Sequence, residues 1–111
     1  MTKKEYFDLI DSTFSEVRRL VEAKNADYTA SSDDPFANFR LSTLEGVQPE
    51  VGLMIRLQDK LQRIRSFMRS GMLSVANESA EDAVNDIIGY CLILKGMMAE
   101  SKICNETNKT I

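Results

Sequence analysis

Apolar residues recur at three- and four-residue spacing in three stretches of this chain, the pattern of helices that turn one side to a core. In the first, Phe7, Ile10, Phe14, Val17 and Val21 carry the stripe over about residues 4–25. Tyr6, Leu9 and Leu20 widen it enough for packing on two sides. The second covers about residues 50–71 on Met54, Leu57, Leu61, Ile64 and Met68, with Pro49 suited to a first turn and Gly71 to a C-terminal stop. The third, about 79–100, sets Ala80, Val84, Ile87, Cys91, Leu94 and Met98 on one face. Ser79 is its expected N-cap, and Asp82 three residues on makes a capping box. Residues 29–35 form a turn-rich loop, and 36–44 start a short helix ended by Glu45-Gly46. No segment alternates as a strand does. The expectation is an all-α fold, a small antiparallel bundle of three long helices and a short one over residues 1–101. Residues 102–111 are expected to be a frayed tail.

Composition narrows the setting. A length of 111 residues allows one domain with a small core. Helices apolar on two sides then find a second partner, so burial is expected to be completed by another copy, in a homodimer or larger assembly. A net charge of −3 argues against polymeric nucleic acid and anionic membranes as partners. No window approaches the roughly 20 apolar residues that span a bilayer. The first residues lack the apolar segment of a signal peptide, which points to the cytoplasm. Cys91 and Cys104 make no disulfide framework, Cys91 lying in an apolar helical run and Cys104 in a polar stretch. With no histidine, His-based acid–base catalysis, Ser-His and Cys-His nucleophiles and His-ligated zinc are excluded. Carboxylates, lysines and a metal ion remain.

Glu78, Asp82 and Asp86 recur every four residues and form one carboxylate stripe on a helix. Like charges so spaced repel by a few tenths of a kcal/mol per pair. A hard cation, Mg²⁺ or Mn²⁺, would relieve that cost. Alternatively, the acids favour the helix N-terminus and stand in water. On the second helix, Asp59 is either a further metal ligand or the local ion-pair partner of Arg56 and Arg63. Lys60 and Arg63 are candidates for phosphate oxygens. A third cluster holds Lys24, Asn25, Asp27 and Tyr28, followed by Asn38 and Arg40 between Phe36 and Phe39. These residue types suit a base and its phosphates. Read as structure alone, Lys24 and Asn25 end the first helix while the two phenylalanines plug the core. A glycine inside the third helix, Gly89, suits close approach of a ligand or a backbone, and Gly96 suits helix packing.

Four segments in order carry a resemblance: Lys24-Asn-Ala-Asp-Tyr28, Asp34-Pro-Phe-Ala-Asn-Phe-Arg40, residues 52–64, and Glu78-Ser-Ala-Glu-Asp82-Ala-Val-Asn-Asp86-Ile-Ile-Gly-Tyr90. Together they resemble small phage proteins of the nucleotide-modification-associated type, related to the MazG-like all-α nucleotide pyrophosphohydrolases. The resemblance covers about residues 24–97. It implies an oligomeric helical bundle holding Mg²⁺ between acids of two helices, located in the host cytoplasm if phage-encoded. Such a hydrolase splits a (deoxy)nucleoside triphosphate into monophosphate and pyrophosphate. By position, Asp59, Glu78, Asp82 and Asp86 would be metal ligands, and Asp59, Asp86 and Lys60 the catalytic set. Lys24, Arg63 and Arg40, with Asn25, Asp27, Tyr28 and Asn38, would bind the substrate. The family pattern Glu-Glu-x-x-Glu is here Gln58-Asp59-Lys60-Leu61-Gln62, with one acid, and Ala83 stands where Glu-x-x-Asp has its glutamate. That thinning leaves open a one-metal enzyme or a nucleotide-sequestering protein without turnover.

Overall fold

The computed structural model describes residues 1–29, 32–40, 46, 48–71 and 79–109, with side chains for all of these except 27–29 and 102–109. Among them, four helices follow one another: α1 (Lys3–Thr29), α2 (Ala37–Arg40), α3 (Pro49–Ser70) and α4 (Ala80–Lys109). No strand occurs among the described residues, so the fold is all-α.

Local chemistry sets the ends of these helices. At the head of α1, the Glu5 N–H donates to Thr2 Oγ1 and the Thr2 N–H to Glu5 Oε2, both at 3.1 Å, a reciprocal capping box. Ser79 and Asp82 repeat the device on α4: the Asp82 N–H donates to Ser79 Oγ at 3.0 Å, and the Ser79 N–H to Asp82 Oδ2 at 3.2 Å. Pro49 opens α3, where its missing N–H leaves no donor unpaired. Gly71 closes α3 at φ +73°, a left-handed geometry that a Cβ disfavours, and its N–H donates to the Phe67 carbonyl at 2.7 Å.

α1 extends four residues past the expected Asn25 boundary, so Asn25 is no C-cap. α4 continues to Lys109, well beyond the point where fraying is expected near residue 102. The short helix is limited to Ala37–Arg40, and residues 41–45 of the expected segment lie outside the described residues.

α4 is the spine: α3 packs along it, α1 crosses it, and α2 bridges α1 and α3. One core cluster joins Phe39, Leu53 and Met97, with Phe36, Tyr90, Ile93 and Leu94 packed around them. Val17, beside Gly89, and Ala83 are also completely buried. A Cβ on Gly89 would lie 3.3 Å from Val21 Cγ2, and one on Gly96 only 2.7 Å from Phe36 Cζ. Both glycines therefore serve close packing, Gly89 against α1 and Gly96 under the Phe36 ring.

The buried face of α4 differs from the one its spacing suggests. Of the expected face, Ala80, Ile87 and Leu94 are partly buried, Leu94 against the core, whereas Val84, Cys91 and Met98 are exposed; Ala83, Asp86, Tyr90, Ile93 and Met97 turn inward beside them. The covered face is thus shifted round the helix by part of the roughly 100° that one residue represents. α4 is apolar nearly all round between Ile87 and Met98, so spacing alone selects no face. The close approaches at Gly89 and Gly96 select it instead, and they carry Asp86 to the inner side.

Candidate functional site

Asp86 sits where three helices meet. Its side chain is 11% exposed; Oδ1 accepts from Lys24 Nζ of α1 at 3.1 Å, and Oδ2 lies 2.9 Å from Lys60 Nζ of α3. Lys60 is itself nearly enclosed, at 14% exposure, whereas Lys24 is half exposed. Burial pushes the Asp86 carboxyl up, but the hydrogen bonds from Lys60 and Lys24 outweigh it and hold the group below its ordinary value of 3.8. The carboxylate is therefore charged at neutral pH, and one acid ties two cations from separate helices.

Beside this triad opens a cavity of about 50 Å³, the room of one or two water molecules. Its charged lining is Lys24, Arg56 and Asp86, its amides are Asn25 and Asn38, and its apolar wall includes Phe39 and Tyr90. Asn25 donates from Nδ2 to the Pro35 carbonyl at 2.7 Å and so pins the incoming loop to α1. The Arg56 guanidinium lies 5.0 Å above the centre of the Phe39 ring. Sequence reasoning casts Arg56 only as a neighbour of Asp59 and leaves Tyr90 unassigned. Nothing local marks either one, since the cavity exists only once α1, α2 and α4 are docked.

The other expected site residues lie outside this cavity. Asp82 is exposed and engaged in the cap of α4, and it lines an open groove with Glu16, Arg19, Leu20, Asn85 and Asp86. Asn85 is buried, and its Nδ2 is 3.5 Å from Glu16 Oε1. Asp59 is 60% exposed and lies 3.3 Å from Arg63 one turn later, the local pairing that its spacing allows. Arg40 points away from the Asp86 cavity: it bonds Asp34 and Glu100, its guanidinium lies 5.8 Å from the centre of the Phe36 ring, and it lines a different groove beside Pro49. Asp34 is held below the usual carboxylate range by Arg40 and by the Phe36 N–H. Glu78 and the side chains of Asp27 and Tyr28 lie outside the described residues.

Among the described residues, no three acids or cysteines gather to hold a metal ion. Asp59, Asp82 and Asp86 each have a different partner: an arginine, a helix cap and two lysines. No helix among the described residues is long and apolar enough to cross a membrane. Comparison with protein-family models, curated proteins and solved structures gives no match for this chain.

Proposed function

We propose that this chain binds a (deoxy)nucleoside triphosphate by its phosphates at the mouth of the Asp86 cavity. The observation that carries the reading is the charge of the lining, where Lys24 and Arg56 stand against the single acid Asp86. Asp86 is shared by Lys24 and Lys60, and with Arg56 these three cations against one acid leave the cleft an excess of positive charge that favours an anion. Phosphate oxygens match this electrostatics, and Arg56 can grip two at once. A cavity of about 50 Å³ has no room for a base. The base would then lie across the rim, where Asn25 and Asn38 supply donors and acceptors.

Binding without turnover, the behaviour of a nucleotide-sequestering protein, is the form best supported, because Asp86 is held by two lysines and Asp82 by the cap of α4. A second reading is the Mg²⁺-dependent pyrophosphohydrolase of the MazG-like resemblance. The groove that Asp82 and Asp86 line together with Glu16 favours it, as does the four-residue spacing of Glu78, Asp82 and Asp86 in the sequence.

Calorimetric titration with the common nucleoside and deoxynucleoside triphosphates tests the binding. Lys24→Met and Arg56→Met are each expected to weaken it about tenfold or more, the size of one lost charge-assisted hydrogen bond. Failure of every nucleotide to bind sinks the reading. Pyrophosphate release in Mg²⁺ or Mn²⁺, abolished by Asp86→Asn, decides for the enzyme, whereas intact nucleotide recovered from the complex decides for sequestration.

A further inference from the structure

We infer that Phe39 is a positioning residue for ligand binding: its ring holds the Arg56 guanidinium beside the cavity by charge and leaves the N–H donors to phosphate oxygens. The inference rests on the phosphate-binding reading of the Asp86 cavity. Lys24 and Lys60 are both tied to Asp86. Arg56 is held differently. Asp59 stands three residues on, within reach by helical spacing, but pairs with Arg63 instead. Among the described residues no acid bonds to Arg56, and its contact is with the Phe39 ring, 5.0 Å from the guanidinium to the ring centre.

The ring itself is fixed. Phe39 is 7% exposed and clusters with Leu53 and Met97, and it also lines the cavity beside Arg56. Leu53 stands three residues before Arg56 on α3, so one ring meets neighbouring side chains of a single helix face. A guanidinium over an aromatic face is attracted by the ring quadrupole, which engages its charge. A carboxylate partner would instead fill the planar fork with which an arginine grips phosphate at two points. The molecule holds both arrangements. Arg40 also lies over a phenylalanine, 5.8 Å from the centre of the Phe36 ring, but Asp34 and Glu100 occupy its donors, and it ties the loop to α4. Arg56 has the ring and no acid, the arrangement that suits an incoming anion.

Calorimetric titration of the full chain with the common ribo- and deoxyribonucleoside triphosphates tests the inference. Phenylalanine analogues with increasing ring fluorination, placed at position 39, weaken the quadrupole step by step while nearly keeping the shape that the core packs against. With the tightest-binding triphosphate, affinity should fall along the series, about two- to fivefold in all, the ratio that an exposed cation–π contact gives. In an Arg56→Met background the same series should be flat, since the contact is already lost. An affinity that ignores fluorination in the wild-type background overturns the inference and leaves the phosphate-binding reading standing. An equal decline in both backgrounds does the same, because Phe39 then acts through packing alone. Failure of every triphosphate to bind the unmodified chain is a separate result, which removes the reading itself and the inference with it.

Discussion

Asp86 shows how one residue can be legible in its chemistry and not in its surroundings. Its place in an acidic stripe marks it as a site candidate, but its two partners lie 62 and 26 positions away in sequence, at Lys24 and Lys60. Removing it leaves two ammonium groups facing one another in a largely buried place. Asp86→Ala should therefore cost on the order of 3 kcal/mol in urea unfolding at neutral pH. The same pairing gives a pH signature. A carboxyl whose folded pKa lies below its unfolded value adds stability above the unfolded value, and that stability drains away as pH falls through the folded one. The melting temperature should thus drop on acidification through and below pH 3.8. Asp86→Asn should flatten that part of the profile, and thermal melts across the range check it. Asp59 is the contrasting residue. It pairs with Arg63 one turn away, one of the partners its local spacing allows.

At the scale of elements, boundaries follow short-range chemistry. The Ser79–Asp82 box, Pro49 and Gly71 act where the sequence places them, because each needs only its own turn of helix. Ser79→Ala should lower stability by about 1 kcal/mol, read from the urea midpoint. Thr2 and Glu5 form an equal box, which the apolar pattern alone does not reveal because it begins later. The two inward glycines of α4 should separate under substitution. Alanine gains about 1 kcal/mol of helix propensity at either position. At Gly89 the new methyl meets Val21 at 3.3 Å, so the gain and the crowding roughly cancel. At Gly96 it would stand 2.7 Å from a ring wedged between α4 and the Arg40 side chain. Gly96→Ala should therefore be the worse of the two by about 1–3 kcal/mol in the same assay.

For the whole molecule, the outline is open: its principal extents are 53 × 35 × 27 Å, and aromatic and aliphatic side chains stand exposed on all three long helices. A ligand that binds only the folded chain raises its stability with concentration. Under the proposed nucleotide binding, the melting temperature of the wild type should accordingly rise with nucleoside triphosphate concentration, and that of Lys24→Met should rise less. Calorimetric scans over a nucleotide dilution series read the difference directly.

The sequence by itself determined that the chain is helical, where its long helices start, and which residue types were available for chemistry. Those properties depend on spacing, caps and composition, all of which act within a few residues. Tertiary structure alone decided which side of α4 turns inward, that Asp86 and not Asp59 joins the lysines, and that Arg56 rather than Arg40 reaches the cavity. Each of these outcomes depends on the rotation of one helix against another. That rotation is set by contacts such as Val21 on Gly89 and Phe36 on Gly96, between residues far apart in the chain.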